Sequence, residues 1–130
     1  MTRRRQRDRG DRGSVVEAVL VVPVLMVVVL IVVQCALWAH AAQVVQVAAS
    51  TGDRTARSVG GGTAAGFRQA EAVTHGPGSD LTSSTVVITV LPGDVVRTEV
   101  TGTADSILPG FTLPVSSVEV GPLQEFRGTE

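Results

Sequence analysis

Residues 13–38 read GSVVEAVLVVPVLMVVVLIVVQCALW, an apolar run in which Glu17 is the only charged residue. From Ala18 to Ala39 no side chain carries a full charge. At 1.5 Å per residue, a helix of this length crosses the roughly 30 Å hydrocarbon core of a bilayer. Trp38 stands where the run turns polar, a position typical of interfacial aromatic residues. The stretch therefore predicts a transmembrane helix over residues 14–40, with Trp38 at the membrane interface.

A basic leader precedes this run. Residues 1–13 contain six of the eleven basic residues of the chain and two aspartates. Because positive charge beside a membrane span marks the cytoplasmic side, we expect a cytoplasmic N-terminus and an extracytoplasmic C-terminal part. The predicted location is the cytoplasmic (inner) membrane, crossed once.

A secretory signal peptide is the alternative interpretation of the same segment. Ala39, His40 and Ala41 form an A-x-A-like site at which such a peptide could be cut. The apolar core of a signal peptide usually has about 7–15 residues, and this run is longer. The length favours a span that is retained, and a small secreted β-rich protein remains the alternative.

The helical pattern continues beyond the membrane. Apolar residues recur at spacings of three and four through residues 41–59, which predicts a stem helix that leaves the lipid. Gly60–Gly62 should end it, and a short helix is expected from Thr63 to Thr74. Residues 60–130 are then a small extracytoplasmic domain. With only 3% aromatic residues in the chain, we expect a thin core of valine and alanine.

The last part of the chain has the period of strands. Residues 85–90 are almost all β-branched, and residues 95–101 alternate so that Val96, Thr98 and Val100 share one face. Pro92 and Gly93 between them predict a type II turn and hence a hairpin. A third strand is expected over residues 115–120. The predicted fold class is α+β: a long N-terminal helix, a short second helix and a small antiparallel sheet of about three strands.

An apolar loop, residues 107–114 (ILPGFTLP), precedes the third strand. Apolar loops usually tuck under their own sheet, and this is the interpretation we favour. An exposed docking surface is the alternative, since exposed apolar patches mark interfaces.

No pattern of catalytic or ligand-binding residues stands out. His40 and His75 lack the carboxylate spacing of a triad or metal site, and Cys35 is the only cysteine. Neither a phosphate-binding loop nor a basic–aromatic pattern for nucleic acid occurs. We expect no enzyme activity, no cofactor, no metal, no small-molecule substrate and no nucleic-acid partner.

Glu17 has an explanation that needs no partner. Ser14 and Glu17 match the S-x-x-E capping box, in which the serine caps the first turn and the glutamate bonds back to a free N–H. The carboxylate would also lie at the positive end of the helix dipole.

A family resemblance gives Glu17 a second meaning. The motif RGSVVEAVLVVP (residues 12–23) resembles the N-terminal signature of TadE-like proteins, minor pseudopilins of tight-adherence (Tad/Flp) pili. The stretch QCALWAHAAQVVQVAA (residues 34–49), the segment LPGFTLPV (108–115) and the ending GPLQEF (121–126) are similar to the same family.

The resemblance implies a pilin-like fold and a prepilin-like precursor. A prepilin peptidase would cut after Gly13 and leave Ser14 as the new N-terminus. In the wider pilin class a glutamate five residues after the cut pairs with a neighbouring subunit's terminal amine. Glu17 matches in type as the fourth residue, and a cut after Arg12 would restore the spacing.

The implied role is incorporation at or near an assembling pilus. Implied partners are other pilin and pseudopilin subunits, the prepilin peptidase, and the assembly platform with its ATPase. Membrane lipid surrounds the span. Pro23 would kink or loosen the helix, which membrane helices tolerate. A protein that keeps its leader and serves only as a membrane-anchored envelope component is the remaining alternative.

Overall fold

A computed structural model describes the backbone of residues 8–124 and the side chains of residues 13–124. The arginines at positions 3, 4, 5 and 7, and Glu125 and Phe126 of the predicted family ending, lie outside the described residues. The chain divides into two compact units, residues 1–34 (unit 1) and residues 35–130 (unit 2).

Two helices precede the sheet. Helix α1 covers Asp8–Arg57 and helix α2 covers Thr63–Thr74, the range that the sequence predicts for the second helix. Gly60 and Gly62, between the helices, have φ angles of 79° and 82°, which side chains other than glycine rarely adopt. The glycines therefore allow the chain to reverse between α1 and α2.

Three strands follow in chain order: β1 (Leu81–Leu91), β2 (Val95–Ala104) and β3 (Leu113–Pro122). They form one antiparallel sheet of order β1-β2-β3. Gly93, in the turn between β1 and β2, has a φ of 86°, as the third residue of a type II turn requires. The predicted α+β fold class is confirmed.

The two faces of β2 differ as the alternation predicts. Val96, Thr98 and Val100 are buried. On the opposite face the Arg97 Nη2 atom lies 3.0 Å from the Glu99 Oε2 atom in an ion pair near solvent. One face of the sheet is therefore covered, and the second half of α1 and helix α2 cover it.

The core of unit 2 is built from small aliphatic side chains. Its buried members come from α1, α2, β2 and β3: Ala41, Val45, Ala48, Ala49, Ala70, Val100, Ala104 and Val115. Leu81, Val86 and Leu113 pack against this cluster from the sheet. Alanine dominates the helical side because it lets helix and sheet backbones approach closely.

Helices α1 and α2 meet at two glycines. A Cβ atom placed on Gly66 would lie 2.6 Å from the Gly52 carbonyl oxygen and 2.7 Å from the Ala56 Cβ atom. A Cβ atom on Gly52 would lie 2.9 Å from the Ala70 Cβ atom. Each helix thus presents a glycine and an alanine four residues later to the other helix, and the contact has no room for a larger side chain.

Unit 2 has two distinct ends. At the first, which we call the entry end, the Trp38 indole N–H donates a long hydrogen bond (3.4 Å) to the Pro114 carbonyl oxygen. His40 Nε2 lies 3.0 Å from the Gly78 carbonyl oxygen at the same end. The entry end contains the start of the unit's helix, the start of β3 and the turn before β1.

At the far end, Arg57 connects α1 to the last strand. Its Nε–H donates to the Asp53 Oδ2 atom at 2.7 Å, and Asp53 is only 2% exposed. The guanidinium covers Gly121, where a Cβ atom would come within 2.6 Å of it. The Gln124 N–H donates to the Arg57 carbonyl oxygen at 3.1 Å. A charge-assisted bond and a glycine together hold the end of β3 against the helix.

The apolar loop is more exposed than the favoured interpretation requires. Leu113 packs against the core, as expected. Ile107 and Phe111 remain 46% and 64% exposed, so the expectation that the loop tucks under its sheet is wrong for these two side chains. Gly110, with a φ of 85°, turns the backbone just before Phe111.

Candidate membrane anchor and assembly segment

The apolar part of α1 in unit 1 is exposed along its length. Its large aliphatic side chains between Val15 and Val33 are 42–67% exposed. Within the described residues, one helix is long and apolar enough to cross a membrane. Aliphatic surface on this scale is unfavourable in water, so lipid or other apolar helices are its natural surroundings.

Gly13, Ser14 and Glu17 all lie inside α1. The backbone is helical from Asp8, so Ser14 is not the N-cap of this helix. The predicted capping box is therefore wrong for the chain with its leader, because the helix begins six residues before Ser14.

The Glu17 side chain is exposed, and among the described residues it makes no hydrogen bond or ion pair. Glu17 lies four positions after Gly13, so about one helical turn places both near the same side of the helix. A free carboxylate beside an apolar helix surface is available to a cationic group of another molecule.

Pro23 lies within α1, as the predicted transmembrane helix implies. Proline has no N–H, so the carbonyl of Val19, four residues earlier, loses its helical partner. In lipid such a carbonyl is satisfied by neighbouring helices or local adjustment of the helix. Pro23 therefore leaves one carbonyl group of the apolar segment without its helical hydrogen bond.

Trp38 has a tertiary contact that sequence reasoning missed. Its hydrogen bond to Pro114 spans 76 positions in the chain, and no local pattern could indicate it. His40 contacts the turn before β1 through Gly78, and its Nε2 atom lies 3.7 Å from the Asp80 Oδ2 atom. The structure thus brings Trp38 and His40 together with the start of β3 and the turn before β1 at the entry end of unit 2.

The described residues contain no cluster of three or more histidine, cysteine, aspartate or glutamate side chains that could hold a metal ion. Cys35 is a free, exposed thiol. The strongest chemical feature of the described residues is the exposed apolar segment of α1 from Val15 to Val33, with Glu17 as its single carboxylate.

Fold and segment together define a class: a helix of membrane-spanning length and composition joined to a small α+β domain. Residues 13–54 match the model of the TadE-like protein family. The match covers 42 of the 130 residues and confirms the resemblance predicted from the sequence. It begins at Gly13 and includes Glu17, Pro23 and Trp38. Neither a curated protein nor a solved structure matches the chain significantly.

Proposed function

We propose that this protein is a non-enzymatic, membrane-anchored pseudopilin of a tight-adherence pilus or its secretion system. The observation that carries the proposal is that the family match and the exposed apolar segment occupy the same part of the chain. The family match covers residues 13–54, and the exposed apolar segment from Val15 to Val33, with Glu17 as its one carboxylate, lies within the same range. A TadE-like match suggests a pilus-associated component, and the exposed helix supplies a surface for assembly.

Assembly would proceed by packing of helices within the membrane. A prepilin peptidase cuts after Gly13, Ser14 becomes the N-terminal residue, and its ammonium group pairs with Glu17 of a neighbouring subunit. In the low dielectric of a helix bundle the two charges attract strongly, whereas a subunit out of register leaves a charge unpaired. Glu17 thereby sets the register between subunits.

The location follows from the same arrangement. The basic leader stays in the cytoplasm, the helix crosses the inner membrane, and unit 2 lies outside it. Partners are other pilin and pseudopilin subunits, the prepilin peptidase, and an assembly platform with its ATPase.

The secreted alternative fits the contacts of unit 2 poorly. A cut after Ala41 would remove Ala41, which is fully buried in the core. It would also remove Trp38 and His40 with their contacts to Pro114 and Gly78. A secreted product would therefore lose part of its own fold, which supports retention of the helix.

Deletion of the gene tests the proposal. We expect a strain without this protein to lose assembled tight-adherence pili, seen by electron microscopy and by pilin in the sheared surface fraction. Expression of the natural chain from a plasmid should restore both. Pili of normal number and length in the deletion strain would overturn the proposed function.

A further inference from the structure

The loop between β2 and β3 exposes two large apolar side chains. Phe111 is 64% exposed and Ile107 is 46% exposed. The chain carries no charge between Asp105 and Glu119, so this exposed surface is apolar and uncharged. The exposure of the Phe111 side chain is that of a surface residue and not that of a core residue.

The position of this loop in unit 2 is fixed by neighbouring contacts. Leu113, directly after the loop, pairs with Ala104 in the sheet. Pro114, one residue later, accepts the hydrogen bond from the Trp38 indole. The loop therefore lies at the entry end, where the chain arrives from the apolar segment. The far end, with Arg57 and Gly121, is at the opposite end of β3.

We propose that residues 106–112, with Phe111 and Ile107, form a lipid-docking loop that inserts its apolar side chains into the boundary between headgroups and acyl chains. The inference rests on the proposed function, because it requires residues 14–34 to cross a membrane. It adds a second membrane contact that is distant in sequence from the span.

Continuity with the span favours lipid over a protein partner. Trp38 is joined by its hydrogen bond to Pro114, two residues after the loop, and stands four residues beyond Gln34, where unit 1 ends. Aromatic side chains with a polar group, such as tryptophan, prefer the membrane–water interface. Phenylalanine and isoleucine side chains near that interface are stabilised when they leave water for the acyl-chain boundary. The absence of charge in the loop suits a bilayer surface and needs no matching charged partner.

Fluorescence quenching in full-length protein tests the inference. The protein is reconstituted into liposomes of phosphatidylcholine and phosphatidylglycerol that contain brominated phosphatidylcholine. The natural chain, whose only tryptophan is Trp38, reports insertion. A Trp38→Phe, Phe111→Trp variant reports the loop. A Trp38→Phe, Val90→Trp variant is the control, since Val90 is 50% exposed beside the turn at the far end.

We expect the tryptophan at position 111 to be quenched at least about twofold more than the one at position 90, with emission shifted to the blue. Quenching of Trp38 without quenching at position 111 would overturn the docking loop and leave the anchor intact. Iodide in solution quenches tryptophan that is exposed to water. If position 111 were not quenched by bromine but became more protected from iodide as the protein-to-lipid ratio rose, the loop would contact a protein partner. That result would also overturn the docking loop. Failure of the natural chain to float with liposomes would overturn both this inference and the proposed function.

Discussion

Replacement of Gly66 by leucine is expected to lower the free energy of unfolding of unit 2 by about 3 kcal/mol or more. Even a Cβ atom at this position would lie 2.6 Å from the Gly52 carbonyl oxygen, which belongs to the backbone of α1 and cannot rotate away. The two helices must therefore separate, and contacts between α2, α1 and the sheet are lost. Denaturant unfolding in detergent micelles, followed by the fluorescence of Trp38 in unit 2, measures the change.

Ala72→Leu is the matched control for Gly66→Leu. Ala72 lies on the exposed side of the same helix, so the same side chain is added without a clash. We expect a change within about 0.5 kcal/mol. If the two variants unfolded at the same denaturant concentration, the close contact between α1 and α2 would be wrong.

Glu17→Gln is expected to reduce surface pili about tenfold or more, because an unpaired buried charge costs several kcal/mol. Glutamine keeps the shape and most of the hydrogen bonding of glutamate and removes only the charge. Loss of a helix cap would not explain a loss of pili, because glutamine serves as well as glutamate in an S-x-x-E/Q capping box. Pilin in the sheared fraction, normalised to the membrane level of this protein, is the measurement.

Glu71→Gln removes the same charge from an exposed position on α2 and serves as the control. It should leave piliation unchanged. Normal piliation with Glu17→Gln would exclude the pairing role. Equal loss in both variants would trace the effect to net charge and not to register.

The secondary structure was predictable because its signals are local. The charge-free run predicts a long helix, Gly60–Gly62 predicts its end, and β-branched alternation with Pro92 and Gly93 predicts the hairpin. Each of these signals depends on residues that are close together in the sequence. The capping box failed for the same reason, because a local motif does not reveal that the preceding leader continues the helix.

Tertiary contacts were beyond local patterns. The meeting of Gly52 with Gly66 and the bond from Trp38 to Pro114 join residues far apart in the chain. Neither glycine has a sequence context that distinguishes it from a flexible position. The exposure of Phe111 could not be predicted either, since an apolar loop suits both a covered and an uncovered position.

Prediction of the candidate site required both the composition of the segment and the family resemblance. Composition predicts a membrane helix but gives Glu17 no role beyond the helix terminus. The resemblance joins Gly13, Ser14 and Glu17 into a processing and assembly segment, and the match over residues 13–54 covers all three.

Mass spectrometry of the protein purified from its native membrane determines its mature N-terminal residue. We expect the chain to begin at Ser14, because the proposed processing after Gly13 would supply the amine that pairs with Glu17. A chain that begins at Ala42 would mean that the helix is a discarded signal peptide, and it would exclude a membrane-anchored pseudopilin.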